Sequence, residues 1–491
     1  MKRVRISETK IINGGKSDVI KRQFNPPQGN HFVVQISLIK DSIMRNYGFY
    51  LFILAIPIII IANDSFTQNP IITSQFTADP SARVFEDKVY VYPSHDILAN
   101  EKRGHVGWFC MEDYHVFSSE NFTDWKDHGV IVSQNKVPWV DSTSYSMWAP
   151  DCIYRDGKYY FYFPARLKDT SNGRFFSIGV AVSNKPYGPF TPQPEPIENV
   201  RGVDPNPFID KDRQAYLYWS ARNIYMAKLK ENMLELASEP QVVEGLPDKG
   251  LKEGPYMFER NGIYYLTYPH VQDSTERLEY AISYNPMGPF KITGVIMDES
   301  LDCWTNHHSI IEFKNQWYLF YHHNDLSPHF DKNRSVRIDS MFFNEDGKIR
   351  KVIPTLRGVG LTDASRKIQI DRYSLKSDEG ASIAFLDTLN KFEGWKTILD
   401  AVNAWIQYNS VDFGTNYFKL VNIRALSETG GILQIRLNNV EGPVIAHVEI
   451  PKGNEWKTIK TPVSGLKSGV QNLVVSLVNN KPVEMDWISF E

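Results

Sequence analysis

The sequence predicts an all-β protein, a five-bladed β-propeller followed by a β-sandwich of jelly-roll type. Three observations point there. A turn residue, an apolar step, a tight turn and an aromatic-rich strand recur in that order five times between residues 79 and 323. Each copy reads as two strands joined by a turn such as Asp156-Gly157 or Asn261-Gly262, and few helical patterns of useful length intervene. After about residue 368 the recurrence stops and short alternating strands replace it.

The first residues stand apart from this pattern. Residues 49–62, FYLFILAIPIIIIA, form an unbroken apolar run behind Lys40 and Arg45. The run is shorter than the ~20 residues that span a bilayer. It reads as the core of a secretory signal peptide, residues 44–62, cleaved after Ala62. Met44 is a natural start, so residues 1–43 read as a mis-assigned upstream extension. The expected products are an exported protein, periplasmic or secreted, with no stable membrane insertion once the signal is removed, a propeller over 63–363 and a sandwich over 364–491.

The five copies are DPSARVFEDKVYVYPS from Asp79, APDCIYRDGKYYFYFP from Ala149, DPNPFIDKDRQAYLYWS from Asp204, EGPYMFERNGIYYLTYP from Glu253 and HHSIIEFKNQWYLFYHH from His307. Their anchors are Asp79, Asp151, Asp204, Glu253 and His307. A second repeat, AVSNKPYGPF at Ala181 and AISYNPMGPF at Ala281, lies two copies apart. Units of about 50 residues with several strands each suit propeller blades. In a propeller the innermost strands line the axis, so the anchors are expected to converge at one end of the channel. Gathering four carboxylates and an imidazole costs Coulomb energy and drives their pKa values apart, which suits chemistry or a cation.

The totals exclude other classes. The chain has 491 residues and a formal net charge of −3, so it lacks the basic excess of a general nucleic-acid binder. Cys110, Cys152 and Cys303 are too few and scattered for a disulfide framework or a structural zinc site. The 25 tyrosines and 11 tryptophans suit β-rich cores and sugar stacking alike.

At ADPS (Ala78), WAPD (Trp148), VDPNPFID (Val203), KEGPYMF (Lys252) and NHHSIIEF (Asn306) the chain resembles glycoside hydrolase family 43 over residues 76–360. The resemblance implies an inverting enzyme that releases arabinofuranose or xylose from plant polysaccharides such as arabinoxylan or arabinan. It casts Asp79 as general base, Glu253 as general acid and Asp204 as the aspartate that orients the acid and raises its pKa. Inversion needs the acid on the leaving oxygen and the base behind a water, roughly 6.5–9.5 Å away. The resemblance further places Arg334 at the substrate and His307 at an axial calcium or its waters. Trp148 reads as a sugar platform or core, Asp151 as pocket rim, and His95 and Asp96 as reaching the innermost pocket. The histidines His308, His322, His323 and His329 sit on a strand pattern without an HExxH helix, which disfavours zinc hydrolysis.

The C-terminal segment resembles carbohydrate-binding module family 6 through IQIDRY (Ile368), WIQYNSVDFG (Trp405), GNEWKTIKTPV (Gly453) and EMDWISFE (Glu484). That resemblance implies a structural calcium at Asp371 and Asp486. Glu484 stands where sugar-binding members commonly place asparagine, so a purely structural domain is an equal reading, and Trp395 is a stacking platform or a core residue. The leading function is an α-L-arabinofuranosidase or β-D-xylosidase acting without a catalytic cofactor. A non-catalytic carbohydrate-binding propeller and an endo-acting arabinanase are the alternatives.

Overall fold

The computed structural model describes residues 69–491, apart from 172, 174 and 416. The upstream extension and the signal peptide expected over 1–62 lie outside these residues. No described helix is long and apolar enough to cross a membrane. The described chain is strands and turns, with two short 3₁₀ turns at Gln134–Lys136 and Lys391–Glu393.

Five antiparallel sheets are the blades, each running outward in chain order. Their inner strands are Ala78–Phe85, Asp151–Arg155, Val203–Ile209, Tyr256–Arg260 and His308–Phe313. Each inner strand touches the next, and the fifth returns to the first, so the ring is closed. The Gly157 and Gly262 turns hold left-handed backbone, with φ of 81° and 82°, where a side chain would be strained.

Tyrosine explains much of the aromatic repeat. Tyr92 of blade 1 donates its hydroxyl to the Pro186 carbonyl in the outer turn of blade 2, at 2.6 Å. Tyr162 reaches Met233 of blade 3 at 2.6 Å, Tyr218 reaches Pro286 of blade 4 at 2.5 Å, and Tyr265 reaches Gly347 beside blade 5 at 2.8 Å. All four rings are buried, and burying a phenol requires a partner for its hydroxyl. The doubled KPYGPF and NPMGPF turns are therefore receptors for the preceding blade's tyrosine.

The junction of blade 5 with blade 1 is built differently. The segment from Asn69 lies against the outer strand of blade 5, Ser335–Met341, through Ile71 N–H to the Val336 carbonyl and Thr77 N–H to the Arg334 carbonyl, both 2.9 Å. The buried Asn69 amide donates to the carbonyls of Ile338 (3.0 Å) and Thr355 (2.8 Å) and accepts the Ile338 N–H (2.8 Å).

The sandwich begins with Thr362–Asp363, which pairs in parallel with Trp405–Asp412, so the expected boundary at 363–364 falls at this strand. Its two sheets bury alternate residues, as in Gly431–Leu437, around Ile406, Leu433, Ile435, Leu473, Val475 and Ile488. Trp395 packs on Phe385 inside this domain and is 5 % exposed, so it is core and not a platform. Arg357 joins the two domains, donating to the Asn409 carbonyl at 2.9 Å and covering the Tyr408 ring.

Asn69→Ala strands at least two buried backbone groups at the ring closure. It is expected to lower the unfolding free energy by about 3 kcal/mol in denaturant titration. A loss below about 0.5 kcal/mol would mean that the segment does not close the ring.

Candidate active site

Asp79 and Asp204 both precede proline, and both hold left-handed backbone, with φ of 46° and 55°. Proline pushes the preceding residue toward extended conformations, so this geometry is strained and needs the surrounding sheet to hold it. Each lies in a β-bulge. The ladder jumps from Ala78 opposite Ser94 to Ser81 opposite Tyr92, and from Val203 opposite Ser220 to Asn206 opposite Tyr218. A bulge re-aims the side chain out of the alternation. Both aspartates turn into a cavity of about 150 Å³ at one end of the channel.

Asp151 follows its proline and sits in an unbroken ladder opposite Tyr162. Aligned on proline, Asp79, Ala149, Asp204 and Gly254 correspond. Ser81, Asp151, Asn206 and Tyr256 form the next layer inward. Asp151 accepts from Ser81, from Asn206 at 2.7 Å and from Arg83 at 2.9 Å, and Arg83 covers Tyr256. It is a buried counter-ion within the channel, which corrects its expected place on the pocket rim.

Four carboxyls meet at the cavity: Asp79, Asp204, Glu253 and Glu276. Arg334 donates to Asp79 Oδ1 at 2.7 Å, and Ser94 donates to Oδ2 at 2.7 Å. Burial alone would raise the Asp79 pKa. Arg334, with help from the Ser94 hydrogen bond, overcomes burial and lowers it to about 2. The other three move the opposite way. Burial, with Glu253 adding to it, raises Asp204 to about 7 against the pull of His307 and the Gly254 N–H, 3.1 Å from Oδ2. Burial and then contact with Glu276 push Glu253 well above the usual carboxyl range. Burial raises Glu276 to about 7, although its Oε2 accepts the Asn306 N–H at 2.7 Å. The cavity thus sets one carboxyl with a lowered pKa against three whose pKa values are raised.

The turn carrying Glu253 depends on Gly254. Its φ is +52°, and an added Cβ would stand 3.0 Å from the His307 ring. Beneath Asp79, His322 accepts the Asp79 N–H on Nδ1 at 3.0 Å and faces the Thr305 carbonyl with Nε2 at 3.0 Å. Burial and then Arg334 keep its pKa well below the usual imidazole value, so it is a neutral support.

Of the expected substrate residues, Arg334 and Trp148 line the cavity, with Trp148 stacked on Phe176. His95 and Asp96 do not. Asp96 is buried behind Arg334 and grips it through Oδ2 to Nε and Oδ1 to Nη2, both 2.9 Å. His95 pairs with Asp113 at 2.7 Å on the flank of blade 1, its Nδ1 turned to that carboxylate. The sequence reading missed Glu276 and the wall formed by Trp108, Phe109 and Trp304. Glu276 opens a third strand, Glu276–Ser283, and it occupies the place that Phe176 takes in Phe176–Ser183. Extending the Ala181 and Ala281 repeat five residues backward exposes this phenylalanine-to-glutamate exchange.

At the expected calcium positions, His307 lines the cavity, 3.9 Å from Asp79 Oδ1, and Asp79 is already held by Arg334 and Ser94, so His307 would meet an axial calcium through its waters and not directly. In the sandwich, Arg424 bonds Asp486, so an arginine supplies the positive charge there. Burial, with Asp486 adding to it, raises Asp371 to about 7; Arg372 lies 3.4 Å from its Oδ2, while its buried Oδ1 has no hydrogen-bond partner among the described residues and is the one donor there that a cation would satisfy.

The family model "Glycosyl hydrolases family 43" matches residues 67–349, and "Carbohydrate binding module (family 6)" matches 380–491. A xylosidase/arabinosidase 43A from Humicola insolens is 39% identical over 329 residues, 57% of this chain and 98% of that protein. A xylosidase/arabinosidase from Bacteroides ovatus is 36% identical over 325 residues, 57% of this chain and 95% of that protein. Among solved structures, a family 43 β-xylosidase/α-arabinofuranosidase from a compost microbial metagenome, in complex with xylotriose and in calcium-free form, is 34% identical. It superposes with a TM-score of 0.53 and covers 59% of this chain and 98% of that one.

Arg334→Met leaves Asp79 and Asp96 buried without their cation. The expected loss at pH 7 is about 3–5 kcal/mol in denaturant unfolding. Without the guanidinium the folded-state pKa values of both aspartates rise, so protonation relieves the defect. The gap to the wild type should narrow from pH 7 to pH 4, and a gap independent of pH would refute this electrostatic account.

Proposed function

Because this chain belongs to glycosyl hydrolase family 43, we propose that it removes terminal pentose units from xylan-type polysaccharides, as a β-D-xylosidase and α-L-arabinofuranosidase. The chain is a glycosidase, and the observation that carries the proposed mechanism is the meeting of four buried carboxyls in one cavity, with the Arg334 guanidinium held on Asp79. Asp79, held ionised by Arg334, is the base. It takes a proton from water as the water oxygen bonds the anomeric carbon from one face. The glycosidic C–O bond breaks, and Glu253 gives its proton to the departing oxygen. The product has inverted configuration because water enters opposite the leaving group. Asp204 holds the Gly254 N–H, fixing the turn that presents Glu253, and adds negative potential beside it.

Glu276 belongs to this machinery as a positioning residue. Two buried carboxyls in contact cannot both ionise, so Glu253 and Glu276 share a proton that keeps the acid protonated for donation. Exo action is supported by the cavity, whose volume of about 150 Å³ suits a single sugar ring. Trp148 and the half-exposed Trp108 offer aromatic faces to sugar C–H groups. The names of the relatives, xylosidase/arabinosidase, support pentose as the sugar. Export is part of the same proposal, supported by the apolar run at 49–62 and by substrates too large to enter a cell. Sequencing the N-terminus of protein recovered outside the cytoplasm should then read from Asn63.

Asp79→Asn is expected to cut kcat/KM on aryl β-D-xyloside and aryl α-L-arabinofuranoside by about 10²–10⁴-fold. Glu253→Gln should cost as much on xylobiose but far less on a dinitrophenyl xyloside, whose leaving group needs no proton. Equal losses on both substrates would remove Glu253 from the acid role.

Glu276→Gln removes the charge that holds up the Glu253 pKa. Glu253 then ionises sooner as pH rises, and the basic limb of the kcat/KM profile should move about one pH unit toward acid. An unmoved limb with an intact fold would reduce Glu276 to a support for Asn306.

A further inference from the structure

A second cluster of chemistry-bearing side chains lies on blade 1, outside the cavity wall. His95 follows the strand Lys88–Ser94, Asp113 and His115 stand on Asp113–Ser119, and Asp127 stands on Lys126–Ser133. Residues two apart on a strand share a face, so Asp113 and His115 project together. The adjoining strand end delivers His95 beside them. The His95 and His115 rings meet edge to face with centroids 5.0 Å apart.

We propose that His95, Asp113 and His115 form a binding site for one divalent transition-metal ion of the zinc class, separate from the catalytic pocket.

Each of the three residues offers one ligand atom within 4.8 Å of the other two. Two imidazoles and a carboxylate are a donor set that such ions accept, with water completing a tetrahedron. Bond lengths near 2.0–2.1 Å ask the donors to close to roughly 3.4 Å. The side chains have room to do so, since each remains 14–18 % exposed.

Two further features point to an ion rather than to ordinary hydrogen bonds. His115 Nδ1 faces Asp127 at 3.1 and 3.2 Å from its two oxygens, which makes Nε2 the nitrogen that carries the lone pair. A carboxylate behind a histidine fixes the tautomer and raises ligand basicity in this way at metal centres. The second feature is charge. Among the described residues, the ion pairs of Asp113 and Asp127 are with these histidines alone, and no lysine or arginine closes on either. With neutral imidazoles the cluster carries two negative charges, which a divalent cation balances.

The site also has a mechanical connection. His95 immediately precedes Asp96, whose carboxylate grips Arg334. An ion on His95 ties that loop to the next strand of the blade.

The test is calorimetric titration of the chelator-treated full chain with zinc chloride at pH 7.5, with unfolding temperature measured alongside. One equivalent should bind, and zinc should raise the unfolding temperature. His115→Ala should lose that equivalent and the thermal response, and Asp127→Asn should bind about 10–100-fold more weakly. His447→Ala, on the sandwich, should bind as the wild type does. Affinity should fall toward pH 5 as protons compete for the imidazoles. Zinc binding that survives His115→Ala unchanged, or no binding to the wild type below millimolar zinc, overturns the proposal. Either result leaves the hydrolytic reading untouched, because the variants lie outside the catalytic pocket.

Discussion

The buried guanidinium of Arg334 is the interaction on which the rest of this molecule turns. One side of it meets Asp96 and another meets Asp79, while its own backbone carbonyl takes the Thr77 N–H that helps to close the ring. A buried ion pair is weak evidence of stability, because desolvation costs about as much as the attraction returns. Its value here is differential. The cation is placed against one of four clustered carboxyls, so burial raises three of them while the fourth stays ionised. Acid and base are thus separated by the position of a single charge.

Two bulges, each at an Asp-Pro pair, translate sequence into that arrangement. Asp79-Pro80 and Asp204-Pro205 each sit in a bulge that swings the aspartate out of the strand's alternation. In Pro150-Asp151 the order is reversed, the ladder is regular, and the aspartate enters the layer beneath. The two orders look alike to a reader who anchors repeats on acidic residues. They differ sharply to one who anchors them on proline.

This explains what was legible in the chain and what was not. The five blades could be read because each repeats an inner strand, a tight turn and a buried tyrosine under the same packing constraint. Asp79, Asp204, Glu253 and Arg334 could be read because they lie in strong local motifs. Glu276 was hidden because it comes from a third strand, where no motif flags a charge and its sibling blade carries Phe176. His95 and Asp96 were misplaced for a related reason. Adjacent residues on a strand end point in opposite directions, so one joins the flank of blade 1 and the other reaches Arg334 from behind. Trp395 shows the same limit in the sandwich, since a tryptophan in a strand does not announce which side of the sheet it takes.

The tyrosine hydroxyls run one way around the ring. Tyr92, Tyr162, Tyr218 and Tyr265 each reach forward, from a blade to the one made after it. During synthesis every finished blade therefore presents a donor that the next segment of chain must satisfy, and assembly has a polarity. The last junction cannot use this device, because its partner was the first to emerge. It relies on Asn69 and Arg334 instead. Asp79 leaves the ribosome early, yet it receives its cation only when the circle shuts, so its charge is compensated in the buried site at the moment of completion and not before.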